Sequence, residues 1–339
     1  MKKVLIGMSG GVDSSVAAII LKNKGYEVIG ATMVLFDTND NQNIIDAKEV
    51  CDILNIKHYI IDLKKEFKEK VINNFIECYI EGKTPNPCIE CNKYLKFGYL
   101  YDKAKELGCD YIATGHYAKI VDGKLYKSDV LDKDQTYFLY KIDKKILNNI
   151  LLPLENYTDK NEIRKIAEKY NLPIKEKKDS QEICFIPKNY TSFLEENLNK
   201  LSPKGKFILK NGTIIGEHKG IMYYTIGQRK GLGISYSKPL YVIEIDKNNN
   251  TIVLGDEKDL YKKELIATNI NLLVDELPNK LEGKVRYRST CSSCNVILLN
   301  ENEMKVIFDS PQKSITIGQS IVLYNKNQCI GGGIIKEVL

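Results

Sequence analysis

Three short strings in this sequence place phosphate-seeking or sulfur-bearing groups at spacings that chemistry uses. The first is Ser9-Gly10-Gly11-Val12-Asp13-Ser14-Ser15. Two adjacent glycines let a backbone turn tightly and approach a ligand. The N–H groups of such a turn, together with the start of a helix, make an anion site. Ser9 and Ser14 add hydroxyl donors, and Asp13 could hold Mg²⁺ beside phosphates. The Gly-Lys-Ser/Thr ending of a Walker loop is missing, and so is GxGxxG. A plain strand-to-helix turn capped by Ser14 is the alternative. The second string is Thr84-Pro85-Asn86-Pro87-Cys88-Ile89-Glu90-Cys91-Asn92. Its prolines fix an extended turn, and its C-x-x-C reads as a redox pair, half a zinc site, or chance. Cys91 is expected just before a helix, whose N-terminus would lower a thiol pKa. The third string, Asp179-Ser180-Gln181-Glu182-Ile183-Cys184-Phe185-Ile186, taken alone is an ordinary buried cysteine.

The elements around these strings alternate. Strands are expected at 3–8, 27–35, 58–62 and 110–116, and helices at 14–24, 43–54, 64–80 and 92–107. That order means βαβ units and a parallel sheet covered on both faces, with ligands at the carboxyl ends of its strands. The Ser9 loop and the Thr114-Gly115-His116 turn fall there. A hairpin is expected around Asp122-Gly123. Helices follow at 134–149 and 159–170, the second opening on an Asp159…Glu162 capping box. From about Lys204 short alternating runs take over: 241–245, 251–255, 283–289, 304–308, 320–324 and 332–338. They read as a β-rich remainder ending in a barrel. Boundaries are expected near 203 and 265.

Composition bounds the rest. A length of 339 residues suggests two or three domains. The chain is 43% hydrophobic and 28% charged, as in an ordinary globular protein. No apolar run approaches the ~18–20 residues of a membrane helix, and the amino end does not read as a signal peptide. Nine cysteines, an odd count, point to a reducing cytosol, so a cytoplasmic protein with no membrane partner is expected. The net charge of +6 is compatible with a polyanionic partner. Arginine occurs only at 164, 229, 286 and 288.

The Ser-Gly-Gly string resembles the signature of the PP-loop ATP pyrophosphatases, which split ATP between its α and β phosphates and leave AMP on a substrate oxygen. GMSGGVDSSV, TPNPCIECN, ATGHY, KDQTYFL, DSQEICFI, TIGQRKGLG and VRYRS, in that order, resemble the tRNA-specific 2-thiouridylase family, and the likeness runs from residue 5 to near 320. It implies an α/β fold: a parallel-sheet PP-loop domain over 1–203, a small central tRNA-contacting domain over 204–265 and a C-terminal β-barrel over 266–339. It also implies ATP-dependent replacement of the C2 oxygen of the wobble uridine by sulfur. ATP would lie on Gly7, Met8, Ser9, Gly10, Gly11, Val12, Asp13, Ser14, Met33 and Gly115. Cys184 matches the persulfide-carrying cysteine, loaded by a cysteine desulfurase or a sulfur-relay protein. Cys91 matches the nucleophile, which can end disulfide-bonded to Cys184. Asn86, Pro87, Cys88, His116, Lys133, Asp134, Gln135, Tyr287, Arg288 and Gln319 match tRNA-contacting positions.

Position 88 is aspartate in some members of that family and cysteine here. Cys88, Cys91 and Cys184 could instead ligate an iron–sulfur cluster with one open iron; of the two schemes, the persulfide route is preferred. His116 reads either as a satisfied histidine at a strand end or as a neighbour of the target base. Tyr137 or Phe138 could stack on that base or be core. Gln228-Arg229-Lys230-Gly231 and Arg286-Tyr287-Arg288 suit backbone contacts. Cys291 and Cys294 read as ordinary surface or barrel cysteines. Two other functions stay open: a PP-loop ligase or amidotransferase acting on a small acid, and an inactive tRNA-binding paralogue. Arg288→Ala should weaken tRNA binding and flatten its salt dependence while ATP binding is kept; an unchanged slope in a salt titration removes Arg288 from the interface.

Overall fold

The computed structural model describes residues 1–37, 41–157, 159–177, 183–186, 189–198 and 201–339. Strands β1 (Lys3–Gly7), β2 (Glu27–Val34), β3 (Lys57–Asp62), β4 (Tyr111–Ala113) and, later in the chain, β7 (Ile150–Leu151) form one parallel sheet in the order β3-β2-β1-β4-β7. Side chains alternate across it, as a two-residue period requires. Val4 and Ile6 pack on one face with Val16 and Val50; Leu5 packs on the other with Phe97 and Leu100. The chain leaves β1 toward β2 and returns on its other side at β4. That reversal opens a crevice at the carboxyl ends of β1 and β4.

Helix α1 (Val12–Asn23) follows β1, and its N-cap is Gly11. Ser14, expected as the cap, lies inside the first turn. Helix α2 (Gln42–Ile53) follows β2. After β3 a helical stretch, α3, runs Lys64–Phe67, Lys68–Ile72 and Asn73–Ile80, the middle piece π-helical. The next, α4, runs Pro87–Glu90, Cys91–Tyr99 and Leu100–Glu106, again with a π-helical middle. It starts on Pro87, whose fixed φ and missing N–H suit a first helical position. Cys91 is therefore a full turn inside the helix, not ahead of it.

Hairpin strands β5 (Ala118–Val121) and β6 (Lys124–Lys127) flank Asp122 (φ 49°) and Gly123 (φ 67°), the two left-handed residues that a type I′ turn needs. The expected helix over 134–149 is instead a short turn at Thr136–Leu139 and a 3₁₀ segment at Lys144–Asn149. Its apolar residues serve a second partner: Tyr137, Leu139 and Tyr140 are fully buried in one cluster with Val322 and Tyr324 of the C-terminal region. Helix α5 (Lys160–Lys169) is capped by Asp159, which accepts from Asn161 N–H at 2.9 Å; the bond goes to that residue rather than into a box with Glu162. Helix α6 is Tyr190–Asn197.

The remainder divides into two β modules. β8 (Gly205–Leu209), β9 (Ile214–His218), β10 (Tyr241–Asp246) and β11 (Thr251–Gly255) form a sheet in the order β10-β11-β8-β9. Then β12 (Tyr261–Leu272), β13 (Leu281–Lys284), β14 (Ser292–Leu298), β15 (Glu303–Lys313), β16 (Ser320–Asn325) and β17 (Gln328–Val338) run β12-β15-β14-β13-β16-β17, and β17 pairs back onto β12 to close a barrel. β12 crosses the boundary expected at 265. The strand expected over 283–289 ends at Lys284. Gln328 of β17 also pairs with Tyr126 of β6, so the hairpin belongs to the barrel's sheet.

Tyr137 Oη donates to the Ser320 carbonyl at 2.8 Å, and Asn271 Nδ2 donates to the carbonyls of Tyr140 (2.7 Å) and Ile142 (2.9 Å). These bonds lock the barrel to the first domain. The closure strand turns at Gly331, where φ is +129° and a Cβ would lie 2.1 Å from the Asn271 carbonyl oxygen. Gly331→Ala should destabilise the barrel by about 1–3 kcal/mol, read as a lowered thermal midpoint; an unchanged midpoint contradicts the strain.

Candidate functional site

The Ser9 loop sits at the carboxyl end of β1. Gly10 has φ +69°, and a Cβ there would lie 2.3 Å from the Asn43 carbonyl oxygen, so only glycine fits. Ser9 N–H donates to Ser14 Oγ at 3.2 Å, and the two serine hydroxyls lie 3.1 Å apart. Ser14 and Ser15 hydroxyls donate to the Gly11 carbonyl at 3.1 and 2.9 Å. Gly11 contributes no side-chain cap, so the first N–H groups of α1 are left for an anion. The donor set fits the phosphates of a nucleotide. The side chains of Met8 and Val12 are core, and the Met8 backbone is already engaged: its N–H donates to the Ala31 carbonyl at 2.8 Å and its carbonyl accepts from Thr32 Oγ1 at 2.9 Å. Met33 is half-buried near the end of β2.

Lys177, which the sequence reading missed, straps this loop. Its Nζ donates to the Gly10 carbonyl at 3.0 Å and to Asn43 Oδ1 at 2.8 Å, and pairs with Asp46 at 2.5 Å. Burial opposes ionisation of Asp46, but Lys177 and Gln42 hold its carboxyl below the ordinary range. Lys177 lies just ahead of the Cys184 string, whose members 179–182 fall outside the described residues.

The 114–117 turn closes the other side. A Cβ on Gly115 would stand 3.0 Å from Ser14 N and from the Asp13 carbonyl carbon. Tyr117 Oη donates to Asp13 Oδ1 at 2.9 Å, which leaves the other carboxylate oxygen for a hard cation. Gln135 Oε1 accepts from Tyr117 N–H at 2.9 Å, which ties the amide to the 114–117 turn. Asp134 is turned inward: it accepts from the N–H groups of Ser128 and Thr136 and from Thr136 Oγ1. It shapes the loop and is not available to RNA. Lys133 Nζ lies 5.1 Å from the Tyr117 ring centroid, buried, with no hydrogen-bond partner.

Cys91 is buried among Phe67, Val71, Phe75, Leu95 and Phe185. Phe185, next to Cys184, packs edge-on against Phe67 and Phe75 of α3, both at 5.5 Å, and against Phe193 of α6 at 5.1 Å, in the same apolar cluster as Cys91. Cys88 and Cys184 are exposed residues. Desolvation by the surrounding protein nevertheless raises all three thiols, Cys91 to about 11 and Cys184 to about 12. Cys184 feels the charges of both Cys91 and Cys88, which puts the three sulfurs in one electrostatic neighbourhood. The depression expected for Cys91 is absent because the helix starts a turn earlier and the thiol is buried. Among the described residues no group of three His, Cys, Asp or Glu side chains is arranged to hold a metal ion. The iron–sulfur alternative for Cys88, Cys91 and Cys184 thus gains no support from their arrangement.

His116 is buried, with Nδ1 2.8 Å from Thr114 Oγ1 and Nε2 3.3 Å from Lys96 Nζ. Burial, helped by the Lys96 charge, holds it well below the ordinary histidine pKa. The loop carrying Asn86 and Pro87 is pinned from the barrel: Gln319 Nε2 donates to the carbonyls of Thr84 (2.9 Å) and Pro85 (3.1 Å). Tyr137 is core, so it cannot stack on a base; Phe138 is half-buried against Tyr287 at 4.3 Å. Arg286 turns inward, donating to the Ile226 carbonyl at 3.1 Å and contacting Thr316. Arg288, Arg229 and Lys230 are exposed. Cys294 is barrel core and Cys291 accepts from Lys127 at 3.4 Å.

A parallel sheet with a Ser-Gly-Gly anion loop at its switch point, followed by two β modules, defines a PP-loop chain of the HUP class. Residues 2–188 match the model described as the tRNA methyl transferase HUP domain, 191–256 its PRC-barrel domain, and 262–335 an aminomethyltransferase beta-barrel domain. The chain is 48% identical to a tRNA-specific 2-thiouridylase of Clostridioides difficile, over 100% of this chain and 99% of that protein. It is 46% identical to one of Halothermothrix orenii, over 99% of each. The chain belongs to the tRNA-specific 2-thiouridylase family.

Because burial disfavours the thiolate, iodoacetamide should label Cys91 slowly at neutral pH and faster as the pH rises toward about 11. Peptide mass spectrometry at a series of pH values reads this; a half-point near the ~8.5 of a free thiol contradicts it.

Proposed function

We propose that this enzyme replaces the C2 oxygen of a tRNA wobble uridine with sulfur at the expense of ATP. A uridine C2 carbonyl is a poor electrophile and oxide a poor leaving group. Transfer of AMP from ATP to that oxygen, with release of pyrophosphate, converts it into one. Ser9, Gly10, Gly11, Ser14 and the amino end of α1 would bind the phosphates, Asp13 would hold Mg²⁺ against them, and Met33 and Gly115 would flank the nucleotide.

Sulfur would arrive as a persulfide on Cys184, delivered by a cysteine desulfurase or a relay protein. The Cys91 thiolate attacks Cys184 Sγ and forms a Cys91–Cys184 disulfide while hydrosulfide leaves. Hydrosulfide adds at C2 and AMP departs. An external thiol then reduces the disulfide. The observation that carries this reading is that Cys184 and Cys91 share one electrostatic neighbourhood, which connects to the Ser9 loop through the 114–117 turn: Gly115 packs on the start of α1, and His116 contacts Lys96 of the Cys91 helix. Exposed Arg288, Arg229, Lys230 and the half-buried Tyr287 offer RNA contacts. A cytoplasmic setting follows from the substrate. No helix among the described residues is long and apolar enough to cross a membrane.

Incubating unmodified tRNA with enzyme, ATP and a sulfur source, then weighing its nucleosides, tests the reading. A thiolated uridine should appear, and Cys91→Ser or Cys184→Ser should abolish it. Gly10→Ala should abolish tRNA-dependent pyrophosphate release as well. Pyrophosphate release driven by small acids, or none with any substrate, overturns the proposal.

A further inference from the structure

The sulfur site contains a cation that the sequence pattern hides. In an α-helix five residues overshoot one turn by about 140°, so Lys96 would face away from Cys91. The segment Cys91–Tyr99 is π-helical, marked by the Leu100 N–H bond to the Leu95 carbonyl. In that i→i+5 register each residue turns less than in an α-helix, so Lys96 is brought nearer the side of Cys91, and its charge acts on that thiol. Its Nζ then meets His116 Nε2 at 3.3 Å.

That contact fixes the imidazole. An ammonium only donates, so Nε2 accepts. The proton therefore sits on Nδ1, which donates to Thr114 Oγ1 at 2.8 Å. Both ring nitrogens are engaged in a buried ring, which leaves none for a substrate. Lys96 has two further N–H donors, and its charge acts on each sulfur of the site. The other nearby cations are committed elsewhere. Lys141 is paired with Glu90 at 2.5 Å, and Lys70 and Lys93 lie over the Tyr94 ring.

We propose that Lys96 is the cation of the sulfur site and His116 its positioning residue: the ammonium, held by Nε2, stabilises the anionic sulfur that forms when Cys184 is loaded and when Cys91 attacks. Histidine acts here through lysine and not on the base. The inference rests on the sulfur-transfer reading, but its test needs neither ATP nor tRNA.

The test is the rate of iodoacetamide labelling of Cys91 and Cys184 at pH 8.5, by peptide mass spectrometry, with the partly exposed Cys78 and Cys291 as internal references. Lys96→Met should slow both site cysteines about tenfold, equivalent to ~1.4 kcal/mol, and leave the references unchanged. Lys96→Arg, which keeps the charge, should restore the rate to within about twofold. His116→Ala should slow labelling less than Lys96→Met does, because the lysine remains but is loosened. Wild-type rates in Lys96→Met overturn the proposal, as does equal slowing of the reference cysteines, or no recovery in Lys96→Arg. Failure of the tRNA assay with this pattern intact would remove the thiolation reading alone.

Discussion

The site depends on one apolar anchorage. Phe185 fills a nest of Phe67, Phe75 and Phe193, and through it the segment carrying Cys184 is held to α3 and α6, in the apolar cluster that also buries Cys91. Loss of a buried phenylalanine of this kind costs about 3–5 kcal/mol, far more than a surface contact supplies. A cysteine remote in sequence is thus kept beside its partner without a covalent link. The same surroundings raise both thiols and favour their protonated form at neutral pH.

Around that anchorage the barrel acts as a scaffold for the first domain. Gln319 and the tight approach of Gly318 to Thr84 hold the Pro-Asn-Pro turn. Tyr137, Tyr140 and Thr136 bond to Ser320 and Tyr324. The hairpin that leaves the parallel sheet finishes as an edge of the barrel's own sheet. Cradle, thiols and barrel are therefore one packed unit, and Gln319 acts on the backbone of the turn.

What could be read in advance was what is local. The Ser-Gly-Gly turn between β1 and α1 was legible because its glycines, serines and following helix are contiguous; so was the hairpin turn at Asp122-Gly123. The closed barrel was legible as a run of short alternating strands, but not its recruitment of β6, since strand partners distant in sequence leave no local mark. The 134–149 segment misled because its apolar residues bury against the barrel rather than along one helix face. Asp134 looked like a polar contact and instead satisfies loop N–H groups. Lys96 was invisible because a π-helical register cannot be told from an α-helical one by residue spacing.

The convergence of Cys91 and Cys184 is the claim to test first. In Cys88→Ser protein, dibromobimane, which bridges only thiols close to one another, should join Cys91 to Cys184 and yield a single cross-linked peptide pair by mass spectrometry. Phe185→Ala should lose that pair. Two separately labelled peptides with no bridge, in folded protein that retains Phe185, would contradict the account.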